Sequence, residues 1–215
     1  VLTSAQVNGW SSAQVAALNT EHMAYLDTQV IASLNSDQIR GIEGEDLAKL
    51  STTQVAALKS AQLNVMTSGQ INSLTAAEVG ALNSDQWKGV STQISALSNE
   101  AVAGIASNQA SMLSSGQIVA LTADQISYLS NDTVAALSSA QVQKIEPGDL
   151  ARMSLDQIAV ISTAGINQLE NAQIDALTND QINALTTTQA KALAPAALTR
   201  MNSEQIDNLN TDQIA

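Results

Sequence analysis

His22 is the only histidine of a chain without cysteine, and carboxylates gather twice, as Glu43, Glu45 and Asp46 and again as Glu146 and Asp149. These are the side chains whose types could do chemistry. An imidazole can serve as a base or a metal ligand, and grouped carboxylates are the usual oxygen ligands of Ca²⁺. Without a second histidine or any cysteine, however, the common zinc sets and a Cys–His pair cannot be assembled. His22 also occupies a slot that glutamine fills elsewhere in the chain, so it is read as a capping residue. The acidic groups lack the alternating Asp/Asn–Gly spacing of an EF-hand loop. No residue is therefore assigned a catalytic, cofactor-binding or metal-ligating role, and Glu43, Glu45, Asp46, Glu146 and Asp149 are kept only as the residues that come nearest to a calcium set. Asp37, Asp85, Asp124, Asp132, Asp156, Asp180 and Asp212 share one position of a repeat, where a stacked column could also take Ca²⁺. An acid in the first turn of a helix is favoured by the helix dipole and the free N–H groups there, and this is the preferred reading of the column.

The elements that must position these residues follow from an eight-residue frame beginning at Thr3. Twenty-five complete octads fit, with a seven-residue unit at Ser91 to Leu97 and a partial one from Asn210. Positions five and eight are apolar in all twenty-five, counting Ala110 and Ala190; position one is Ser, Thr, Asn or Asp in nineteen, and position four is Gln in sixteen. One array thus accounts for the chain. A continuous α-helix advances ~800° in eight residues, so its apolar stripe would drift by ~80° with each octad and no face could stay buried. Strands fail as well, because spacings of three and five put the two apolar positions on opposite faces. Local structure must restart in every unit.

Ser or Thr at position one with Gln at position four is a capping box, and the apolar residues flanking the cap form a hydrophobic staple, as Leu50 and Val55 do around Ser51. The only prolines, Pro147 and Pro195, stand at position two, the first helical residue, where a missing N–H costs least. Gly9, Gly41, Gly89 and Gly104 stand at position seven and are read as helix stops. The expectation is an all-α solenoid, one helix of about six residues per octad, coiled into an elongated rod. Helices of ~9 Å are marginal alone, so stability must come from stacking turns over positions five and eight.

A longer repeat overlies the octads: "LNTEHMAYL" at 18 to 26 returns as "LTADQISYL" at 121 to 129, and "GIEGEDLAKL" at 41 to 50 as "KIEPGDLARM" at 144 to 153, both 103 residues on. The offset is read as duplication of a block of about thirteen octads, with a structural superperiod as the other reading. No linker or composition shift divides the array, so residues 1–215 read as a single solenoid domain and, since the chain opens and stops within octads, as a segment of a longer array. Twenty acidic against eight basic residues give a net charge of −12, which disfavours nucleic-acid phosphate and anionic lipid as partners. No run of eighteen apolar residues suits a membrane span, and four aromatic residues are too few for base-stacking platforms.

The unit [ST]-x-x-Q-[IV]-x-A-L, as in "SSAQVAAL" (11 to 18), "STTQVAAL" (51 to 58) and "TNDQINAL" (178 to 185), resembles octad tracts of very long secreted or surface-exposed bacterial proteins described as adhesin-like. The resemblance covers essentially the whole chain and brings no catalytic residues with it. It implies an extracellular or cell-surface structural segment, such as a spacer, stalk or filament part, whose partners are flanking repeats or other copies end to end. A binding module that presents positions two, three, six and seven to a protein or glycan is the second expectation. No enzyme activity and no cofactor are expected.

Overall fold

The computed structural model describes residues 2–214. Among them the chain forms twenty-six α-helices of four to seven residues and one six-residue 3₁₀ helix, Ser91–Ala96, with no strand. The chain gathers into two compact units, Val1–Ile105 and Ala106–Ala215. Ala106 lies 103 residues after Thr3, so the second unit begins one offset of the long repeat after the first octad. Each unit by itself is a solenoid of the expected kind.

Each regular helix starts on octad position two, because position one is held extended and capped. Ser51 has φ −69° and ψ 158°; the Gln54 N–H donates to its Oγ at 3.2 Å while its own N–H donates to Gln54 Oε1 at 2.7 Å. Thr178 and Gln181 repeat the arrangement. Where Lys59, Ala106 or Glu170 replaces the hydroxyl residue, its backbone N–H still donates to the glutamine three residues on. The glutamine therefore carries half of the cap alone. Pro147 and Pro195 open their helices as the frame requires.

Gly9, Gly41 and Gly104 stand at helix ends as read, whereas the helix of Gly89 runs on to Val90, and none of the four stops its helix by a left-handed turn. No glycine among the described residues has positive φ, and Gly104 ends its helix at φ −77°, ψ −9°, a conformation open to any residue. Stopping is done instead by position eight, which turns extended, as at Leu185 (φ −58°, ψ 130°). Gly41, Gly89 and Gly104 answer to a different demand, that of the joint between turns.

Positions five and eight fill the core, as with Val55 and Leu58 or Ile182 and Leu185. Their coverage is directional. In the first turn Val7, Val15 and Met23 at position five are buried while Trp10 and Leu18 at position eight are half-buried. In the last turn Leu198, Ile206 and Ile214 at position five are 43%, 41% and 69% exposed, while Met201 at position eight is buried. Position five is thus covered by the turn that follows and position eight by the turn that precedes. Each such burial contributes about 1.5–3 kcal/mol, which comes only when turns stack.

The seven-residue unit is a seam. Helix Ser84–Val90 runs on through position eight, and Ser91, the first residue of the 3₁₀ helix, takes φ 45°, ψ −137°. A 3₁₀ helix rises ~2.0 Å per residue against ~1.5 Å for an α-helix, so six residues can span the place of a longer segment. The deletion also shortens the cap spacing from three to two. Gln93 can no longer close a box with Ser91; its Oε1 has no hydrogen-bond partner among the described residues, and its Nε2 donates to the Asn64 carbonyl at 3.1 Å. A backbone conformation suited to glycine costs a serine about 1–3 kcal/mol. Ser91→Gly should therefore raise the urea midpoint by the equivalent of about 1 kcal/mol, whereas Ser114→Gly, at a regular cap, should lower it.

Candidate functional site

The repeated functional element of this chain is the joint between turns. At Gln70, Oε1 accepts the Thr67 N–H at 2.9 Å while Nε2 donates to the carbonyls of Ile39 and Ile42, both at 2.7 Å. One side chain thus caps its own helix and ties it to the turn before. Gln38, Gln62, Gln86, Gln141, Gln173, Gln181, Gln189 and Gln205 make the same pair of bonds, 31 and 28 residues back. In octad terms the amide reaches positions five and eight of the unit four before it. Helices also pack on the helix three units before, as Ser36–Gly41 does on Ser12–Ala16. A turn of the coil therefore takes between three and four octads.

The arrangement demands an amide. A carboxylate has only acceptors and an ammonium only donors, whereas glutamine offers both from one planar group. Nearly all of these glutamines are more than nine-tenths buried, so an imperfect match would leave costly orphaned groups.

Backbones meet just as closely at position seven. Gly41, Gly89 and Gly104 lie over position two of the octad three units earlier, and a Cβ on them would come within 2.8 Å of the Ser12 carbonyl oxygen, 2.2 Å of Ser60 and 2.1 Å of Ala76. Here glycine is required by proximity and not by dihedral angle.

His22 is placed as read from sequence: its Nδ1 accepts the Asn19 N–H at 3.3 Å, and its own N–H donates to Asn19 Oδ1 at 3.0 Å. The calcium candidates divide. Glu43, Glu45 and Glu146 are exposed, while Asp46 and Asp149 occupy position four and are buried. Burial first, then Glu43 and Glu45, raises the proton affinity of Asp46; burial first, then Glu146, does the same for Asp149. Among the described residues no three His, Cys, Asp or Glu side chains are grouped to hold a metal ion. The position-three aspartates lie in first turns and are exposed. Asp37 is 3.6 Å from Arg40, Asp124 is 3.8 Å from Arg152, and Lys88 Nζ at 2.7 Å holds the Asp85 carboxyl below the usual carboxylate range. Such exposed pairs contribute little to stability. A further surface pair, Arg200 with Asp175, joins residues 25 apart in neighbouring turns.

The tie between turns is not read from the capping pattern, although the sequence holds a signal for it. A capping box accepts Glu as readily as Gln, yet position four shows sixteen glutamines and a single glutamate, Glu78. That imbalance marks a donor requirement beyond the cap. No helix among the described residues is long and apolar enough to cross a membrane.

Comparison with curated proteins gives no match. A family model described as the ALTTAQ repeat matches residues 1–28, 39–76 and 142–187, more than half of the chain. Its six letters read onto octad positions seven, eight and one to four, as in "ALTTTQ" at 184 to 189. With the matched residues spread over both units, the chain belongs to the ALTTAQ repeat family.

Proposed function

We propose that the chain is a structural segment, a spacer, stalk or filament part of a bacterial cell-surface or secreted protein, with no enzymatic step of its own. The observation that carries this reading is that each strictly patterned position is used by the fold: one and four in caps, four again between turns, five and eight in the core. Nothing regular is left over for a substrate. The resemblance of the octads to tracts in long surface-exposed proteins supports the extracellular setting, and flanking repeats or other copies, end to end, are the proposed partners. The acidic balance, −12, favours neither nucleic acid nor membrane insertion. Small-angle scattering on chains lengthened or shortened by whole octads tests the reading: the maximum dimension should change in proportion to the octads added or removed while helicity per residue stays constant. A dimension that ignores the octad count would sink it.

The second reading, a module that binds a protein or glycan, is favoured by one observation. Tyr25 and Tyr128, 89% and 45% exposed, stand at position seven in the two copies of the long repeat. Saturable binding on a glycan or surface-protein array, lost in the double variant Tyr25→Ser with Tyr128→Ser, would make this reading the better one.

A further inference from the structure

Glu78 breaks the amide rule where the rule is strictest. It is 2% exposed, and its Oε2 accepts the Thr75 N–H at 2.7 Å and the Thr75 hydroxyl at 2.8 Å, as a glutamine Oε1 would. Its Oε1 therefore takes the place of the amide nitrogen, and it has no hydrogen-bond partner among the described residues. The register of the other glutamines, 31 and 28 residues back, sets this oxygen opposite the carbonyls of Leu47 and Leu50. An ionised carboxylate there would present charge to two carbonyl oxygens in a site closed to water. Adding one proton turns the repelling oxygen into a donor and restores the pattern of the glutamine joints.

We propose that Glu78 is protonated in the folded protein, its Oε1–H donating to the Leu47 or Leu50 carbonyl, so that this one joint between turns is proton-dependent and weakens when the proton leaves to solvent. The surroundings offer no substitute for the proton. Of the helices packed on Ala76–Gly80, Thr52–Ala56 carries no titratable side chain and Asn99–Ala103 carries only the exposed Glu100. The unit that bears the two carbonyls carries Glu43, Glu45, Asp46 and Lys49, and none of them forms an ion pair with Glu78 among the described residues. Burial is the main cause that raises the proton affinity of Glu78, and the Thr75 hydrogen bonds oppose it.

The sign follows from linkage. A carboxyl whose folded pKa lies above its unfolded one contributes stability that is fully present below the unfolded value, about 4.3, and is lost as pH rises through the folded value. Asp46 and Asp149 act in the same sense, so the difference between the parent chain and Glu78→Gln isolates the one site. The melting temperatures of the two should nearly coincide at pH 4, and the variant should be the more stable by a gap that widens up to pH 8. A gap that does not change with pH, or that closes as pH rises, would overturn the proposal. Carbon-13 NMR of the glutamate carboxyls, with the signal missing in Glu78→Gln giving the assignment, should place the Glu78 midpoint well above 4.3; a midpoint at or below it overturns the proposal as well. So does selective stabilisation of the parent at pH 8 by sodium, potassium or calcium chloride at fixed ionic strength, because a cation would then occupy the proton's place.

Discussion

Gly104→Ala is expected to lower the stability of the chain by about 3 kcal/mol, at the upper end of what overpacking costs. The added methyl would stand 2.1 Å from the Ala76 carbonyl oxygen and 2.5 Å from its Cα. Both are main-chain atoms of the helix Ala76–Gly80, which is itself tied by its caps, so no side chain can swing away to make room. One turn must lift off the next, and the apolar contacts under it open together. Gly148→Ala is the control: nothing lies within 4 Å of the new methyl, and alanine restricts the unfolded chain, so it should stabilise by about 0.4–1 kcal/mol. Urea unfolding followed by far-ultraviolet circular dichroism reads both. Equal effects at the two positions would show that turns do not meet at position seven.

Gln70→Met should cost a similar amount, about 3 kcal/mol, although it barely changes the volume of the side chain. It deletes three hydrogen bonds at once. The Ile39 carbonyl keeps the Ile42 N–H as a donor, but the Thr67 N–H loses its acceptor and the Ile42 carbonyl its amide donor. Gln6→Met tests the assignment, since Gln6 is exposed and, among the described residues, bonds only within its own cap. That change should cost about 1 kcal/mol, the ordinary worth of a cap. If the two glutamines prove equivalent, the amide serves the helix start alone and turns are held by apolar burial only.

Much of the fold was legible because its determinants are local. The cap, the staple and the first-turn proline act within one octad, so Ser51, Gln54, Pro147 and Pro195 could be placed without knowledge of the coil. His22 yielded to the same logic. What lay outside reach depends on residues some thirty apart. The capping role of Gln70 hid its second role, since a side chain already accounted for raises no further question. The close approach at Gly89 and Gly104 is invisible in sequence, because their neighbours belong to another turn. Asp46 illustrates the limit for the calcium candidates: its neighbours Glu43 and Glu45 are adjacent in the chain, yet the fold buries it and leaves them exposed. The number of octads per turn was beyond inference for the same reason, because it is set by which carbonyls each glutamine finds.

Those carbonyls belong to the main chain, and every residue has one. The joint therefore does not recognise any particular sequence in the unit it grips; as far as this bond is concerned, an octad with glutamine at position four can sit four units after any other, and only the close contacts at Gly41, Gly89 and Gly104 restrict the exchange. Slippage or unequal recombination of the coding sequence by whole units would move each glutamine onto an equivalent pair of acceptors and still give a folded chain, whereas a shift of a single residue leaves a seam like the one at Ser91. An array built on such bonds can change its length by heritable steps without a new side chain being invented at any of them.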